Sequence, residues 1–133
     1  MDPGQALAEL KQISVQVQEA VIFDQSGGVV ASTLGEKRAP AMAEAARRLV
    51  ESAAGAVENG EQLVQIEAAL PEGSVIVVRE GATAVAATTV PDPTVGLIFY
   101  DLRTCLRALA ETEETPKPRR KAPVRRKKAE DAA

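Results

Sequence analysis

At 133 residues the chain has room for one ordinary domain, and an aromatic content of 2% leaves no platform on which bases could stack, which argues against nucleic-acid reading by stacking. It has no histidine and a single cysteine, Cys105, so the commonest general base, the commonest metal ligand and any internal disulfide are all missing. The net charge of −3 conceals a division: residues 1–111 carry eight Lys and Arg against fifteen Asp and Glu, whereas residues 112–133 carry eight against four.

At the N-terminus Asp2 is placed to cap a helix that starts at Pro3, with Leu7 and Leu10, joined by Ala6 and Ile13, as its apolar stripe. The chain opens Met1-Asp2-Pro3, without the basic flank and apolar run of a signal peptide, and no apolar stretch approaches the roughly 20 residues of a bilayer span; a cytoplasmic protein is expected. From Val15 to Asp24 the pattern turns extended, and Ala20-Val21-Ile22-Phe23, apolar on both faces, predicts a central strand. Gln25-Ser26-Gly27 turns the chain into a second strand, Val29 to Thr33. A polar loop then leads to Pro40, read as the first residue of a second helix running to about Val57.

Placed at 100° per residue, that helix sets Met42, Ala46, Leu49, Ala53 and Val57 on an apolar side, and Glu44, Arg47, Arg48, Glu51 and Glu58 on a polar one. Small residues, including Ala43, Ala45, Ala54 and Ala56, flank the apolar arc and would let another helix come close. The third strand, Gln62 to Leu70, alternates: Val64, Ile66, Ala68 and Leu70 face one way, Gln65 and Glu67 the other, the mark of an edge. It has no proline or lysine to protect it, although Glu67 can serve as a charge guard. Strand four, Ser74 to Arg79, reads as covered on both faces, and strand five spans Ala82 to Val90. Pro71-Glu72-Gly73 and Arg79-Glu80-Gly81 are read, like Gln25-Ser26-Gly27, as three-residue hairpin turns closed by a glycine at positive φ. A last helix, capped by Asp92 with Pro93 at its first position, repeats Val95, Ile98, Phe99, Leu102, Leu106 and Leu109.

These elements, α-β-β-α-β-β-β-α, predict a three-layer α/β (α+β) sandwich around a five-stranded antiparallel sheet. One helix would cover one face and the two terminal helices the other. The ordered domain is expected to be 1–111. Residues 112–133 form a basic tail, with Lys117, Arg119, Arg120, Lys121, Arg125, Arg126, Lys127 and Lys128 interrupted by Pro118 and Pro123, too poor in apolar side chains to offset the entropy of ordering and therefore read as disordered.

No catalytic or metal constellation emerges, and neither an enzyme activity nor a cofactor is expected. Cys105 shares the apolar side of the last helix with Leu102, Leu106 and Leu109 and is read as core. Asp24 is read as a turn acceptor and Asp101 as solvent-facing. Gly27-Gly28 precedes a strand instead of a helix, which favours a hairpin turn over a phosphate cradle.

In element order and turn glycines the sequence resembles the roadblock family, the dynein-light-chain-like domains related to the longin and profilin folds. The resemblance runs from about Leu7 to Leu109 and rests on A-V-I-F-D-Q-S-G-G-V-V-A-S, the amphipathic middle helix, S-V-I-V-V-R-E-G-A-T-A-V and P-D-P-T-V-G-L-I-F-Y-D-L. It implies a homodimer in which edge strands join into one sheet and the middle helices lie side by side, with contacts at Gln62, Leu63, Gln65 and Glu67 and at Ala45, Leu49 and Ala56. It also implies a Ras-like small GTPase or a larger assembly as partner. Glu44, Arg47, Arg48 and Glu51 on the polar helix face are the candidate contacts, and a solvated, self-paired face is the alternative for each. The basic tail supports a second reading, sequence-blind attachment to nucleic acid or an anionic membrane through its cations; a solubility tail or one folding back on its own acidic domain are the bland alternatives.

Overall fold

The computed structural model describes residues 2–60 and 64–114, of which 111–114 by backbone alone. The elements follow in the expected order: α1 (Pro3–Ile13), β1 (Val17–Asp24), β2 (Val29–Ser32), α2 (Arg38–Gly55), β3 (Gln65–Leu70), β4 (Gly73–Glu80), β5 (Thr83–Thr89) and α3 (Val95–Glu114). All pairings are antiparallel, and the strand order is β2-β1-β5-β4-β3, which puts β3 at a margin. No described helix is long and apolar enough to cross a membrane.

The two faces of the sheet are covered in different ways. Toward α1 and α3, branched side chains interlock: Leu10, Ile98 and Leu102 from the helices meet Ile22, Ile76 and Val85 from the strands, all essentially inaccessible to water. Burying each contributes roughly 1.5–3 kcal/mol, so this layer dominates the stability. Toward α2 the contact is made by small residues, Ala39, Ala43 and Ala46 against Ala84, Ala86, Val21 and Val77, with Met42, Leu49 and Val50 half-buried beside them. Alanine lets the helix approach closely but removes little apolar area. Val57 lies beyond the helix end and is exposed, as is Ile13 at the end of α1.

Local chemistry explains most element ends. Asp2 and Gln5 form a reciprocal capping box, the Asp2 carboxylate accepting the Gln5 backbone N–H at 2.9 Å, with Pro3 in the first turn. By contrast α2 starts at Arg38, so Pro40 is not its first residue; Lys37 stands at the N-cap without a side-chain capping hydrogen bond, and the first turn tolerates proline because a backbone N–H there has no intrahelical partner in any case. Nor does Asp92 cap α3. It takes φ +53°, and the helix begins at Val95, where the backbone N–H of Ile98 donates to the Thr94 carbonyl at 3.1 Å.

The three hairpins are also less alike than the sequence suggests. Only the β1–β2 loop is the three-residue form, with Gly27 at φ +90°. Between β3 and β4 the ladder closes at Leu70 and Gly73, and between β4 and β5 at Glu80 and Thr83, leaving two-residue loops in which Gly81 takes φ +63° in the loop itself. Gly73 already belongs to the ladder. A Cβ there would come within 2.0 Å of the Thr89 carbonyl oxygen, so the backbone passes where only glycine fits.

Candidate functional site

The sheet has two margins, β2 and β3, and the β3 margin adjoins a part of the sheet that α2 leaves uncovered. β3 pairs with β4 alone among the described residues, so one row of its backbone donors and acceptors is unused. Because α2 leans toward β1, β2 and β5, a trough of about 250 Å³ is left beside it, walled by Met42, Ala45 and Leu49 from the helix and by Ala68, Val75 and Thr88 from the sheet. Ile66 is half-buried against the α2 layer, while Val64 and Leu70 at the same margin are 54% and 57% exposed. This is an apolar strip half covered by its own chain.

The predicted contact residues fall on different parts of this surface. Ala45 and Leu49 line the trough, whereas Ala56 follows the last residue of α2 as its C-cap, away from it. Gln65 and Glu67 turn to the opposite face of the sheet, where Gln65 accepts from the Arg103 guanidinium and Glu67 accepts from the Ser74 hydroxyl at 2.7 Å. What they offer outward is backbone. Gln62 and Leu63 lie outside the described residues, as do all eight tail cations from Lys117 to Lys128.

On the polar side of α2, Glu44 is the hub. Its carboxylate accepts from Arg47 Nε at 3.0 Å and Nη2 at 2.7 Å, a two-pronged pair, and from Arg48 Nε at 3.1 Å, while Arg47 Nη1 reaches Glu51 at 3.1 Å. The Arg47 bonds hold the Glu44 carboxyl down at about 2, and the same pairing raises the basicity of the Arg47 guanidinium. This network leans on the β1–β2 loop: a Cβ on Gly27 would lie 3.1 Å from Glu44 Oε1 and 3.5 Å from Arg47 Cδ. Arg48 and Glu51, with side chains 73% and 72% exposed, are the members that reach into solvent. Glu44 and Arg47 are half-buried and already matched, so a partner would meet a preassembled charge pattern.

A second cleft of about 300 Å³ opens between the C-terminal half of α2 and the hairpin tips, with Phe23, Val50, Ala54 and Ala84 as apolar walls and Arg47 and Asp24 at its rim. Asp24 acts as the turn acceptor expected of it. Its Oδ1 accepts from the Ser26 hydroxyl at 2.7 Å and from the Gly28 backbone N–H at 2.8 Å, and these bonds, the hydroxyl first, hold its carboxyl below the usual range. Cys105 is buried in the α1–α3 layer, where loss of solvent pushes its thiol up to about 11. Asp101 departs from the sequence expectation: it is buried, because α1 docks over that side of α3. Nothing in the local pattern of α3 announces that contact.

No family profile and no curated relative matches the sequence. Solved structures do match in shape. A Roadblock/LC7 domain from Streptomyces avermitilis superposes with a TM-score of 0.75 over 85% of this chain and 98% of its own, at 19% identity. MglB of Myxococcus xanthus gives 0.71 over 90% and 92%, at 11% identity. An MglB described as having a tetrameric arrangement gives 0.72 over 86% and 90%, also at 11%. At such identities the likeness speaks for the backbone arrangement alone: this chain has the roadblock fold.

Proposed function

We propose that this chain is a non-catalytic regulatory module that pairs with a second copy of itself and presents the joined α2 faces to a Ras-like small GTPase or to a larger protein assembly, in the cytoplasm. The observation that carries the reading is the half-covered α2 face beside an unpaired β3 margin. A second copy joined edge to edge would use the free backbone groups of β3 and bring its own helix toward the apolar trough. The tetrameric arrangement of one MglB supports self-association for this fold. In such a pair Ala45, Leu49, Gln62, Leu63 and the backbone of Gln65 and Glu67 belong to the joint, Ala56 to its edge, and Arg48 and Glu51, set by Glu44 and Arg47, to the partner surface. Any influence on nucleotide hydrolysis would come from preferring one of the partner's two states.

Sedimentation of the wild-type chain and of Leu49→Glu tests the pairing: a dimer that the substitution turns into a folded monomer is expected, and a wild-type monomer at high concentration would end the proposal. Retention of small GTPases loaded with either nucleotide tests the partner, and equal absence of binding in both states would remove it. The segment Lys117 to Lys128 favours a second role, in which the tail beyond the 1–111 domain holds the module to a polyanion; with about six phosphate contacts, log K should fall with log salt at a slope near −5 on B-DNA.

A further inference from the structure

The groove between α1 and α3 holds two carboxylates, and none of its described lining residues is a cation. Asp101 and Thr104 of α3 face Glu9 and Ile13 of α1 across a cleft of about 50 Å³. Asp101 is only 8% exposed, it lines that cleft, and no hydrogen bond or ion pair joins its side chain to another described residue. A carboxylate taken out of water without a partner is costly, and folded proteins nearly always answer it with a cation or a donor. Glu9 adds a second negative charge: the Cys105 thiol in the same groove, raised first by burial, is raised further by it. The nearby described cations are engaged elsewhere. Lys11 donates to the carbonyls of Val17 and Gln18 at 3.3 and 2.6 Å, Arg103 donates to Gln65, and Arg107 pairs with Glu80 at 3.0 Å. Apolar surface adjoins the charge. Ile13 at the cleft is more than half exposed, and so are Leu97, one helical turn before Asp101, and Tyr100 beside it.

We propose that this groove is a docking site for a partner protein that inserts one arginine, its guanidinium meeting Asp101 and Glu9 and its aliphatic stem lying on Ile13. Charge selects a cation, and the size of the cleft says what carries it. A space of about 50 Å³ takes one head group of a few atoms, too little contact to hold a free small molecule, so most of the bound surface must lie outside it, on the exposed apolar residues around. Arginine suits the site better than lysine. Its planar fork of donors can serve two carboxylates at once, and it is more weakly hydrated than an ammonium. Leu97 and Tyr100 give the residues that flank such an arginine something apolar to cover. The groove lies across the sheet from α2, so a module paired through β3 keeps it open, and the site stands whether or not that pairing does. In the unbound chain Asp101 lowers stability; the partner's cation removes that cost.

The test follows amide resonances of the full chain while a capped leucine-arginine-leucine peptide is added through the millimolar range. Shifts confined to α1 and to Leu97 to Ala108 of α3 are expected, with the α2 face unmoved. The same peptide with citrulline, neutral and of nearly the same shape, should bind at least about tenfold more weakly, and so should the arginine peptide on Asp101→Asn. Glu9→Gln, an exposed site that spares the core, should weaken binding by about threefold. Asp101→Asn should also raise the urea midpoint of the unbound chain, which a structural role for the carboxylate would lower. Shifts that are absent, that fall elsewhere or that citrulline reproduces would overturn the proposal, as would a lower midpoint for Asp101→Asn. Capped arginine binding as tightly as the peptide would overturn it in favour of a free guanidinium compound. Calcium ions giving the same shifts at lower concentration would do so in favour of a metal, and α1 and α3 resonances that move with protein concentration alone in favour of a second copy.

Discussion

The carboxylate of Asp24 holds the backbone N–H of Gly28 across the β1–β2 loop at 2.8 Å, so the turn that starts the second strand is tied by a side chain as well as by its own backbone. Replacing Asp24 with Ala removes the acceptor shared by Ser26 and Gly28 and should lower the urea midpoint without changing its slope; Asp24→Asn keeps an oxygen there and should retain most of it. Equilibrium unfolding of the two variants side by side checks this.

Gly73→Ala should be far worse than a typical surface change. Its φ of +143° is costly for any side chain, of order 1–3 kcal/mol, and the new methyl would also collide with the Thr89 carbonyl oxygen, a group that cannot swing aside. A drop in melting temperature larger than that of Gly35→Ala, where a Cβ meets nothing within 4 Å, is the expected result.

The two helical layers should respond differently to truncation. Leu102→Ala empties the branched layer and should cost about 2–5 kcal/mol, whereas Leu49→Ala, in the half-covered strip, should cost less than about 1 kcal/mol to the isolated subunit and show itself mainly in self-association. Denaturation and sedimentation on the same two variants separate these effects.

Acid should remove the contribution of Glu44 gradually. Because its folded carboxyl is held near 2 against an ordinary 4.5, its contribution is fully present above pH 4.5 and disappears as pH falls from there toward 2. Glu44→Gln should flatten the stability profile over that window while leaving the profile above pH 5 parallel to the wild type, as urea midpoints measured from pH 7 to 2 will show.

Much of this architecture was legible because it is written in local periodicity. Ile98, Leu102, Leu106 and Leu109 repeat at helical spacing, and Val75 to Val78 form an unbroken apolar run, so neither needs knowledge of a neighbour to be recognised. The misreadings arise where a distant element decides. Pro40 and Pro93 mark helix starts only loosely: Pro40 falls inside the first turn of α2, which accepts proline at any position, and Pro93 lies two residues before α3 begins at Val95. Asp101 was expected in solvent because its own helix says so, and α1 covers it. Glu44 and Arg47 read as an outward polar face, yet the β1–β2 loop comes up against them at Gly27, whose missing side chain makes the room.

The alanine layer beneath α2 has a consequence for how the protein is handled. If a second copy finishes that face, as proposed, folding free energy becomes subject to mass action, and the melting temperature should climb with the amount in the tube. Dilution would then act as a mild denaturant.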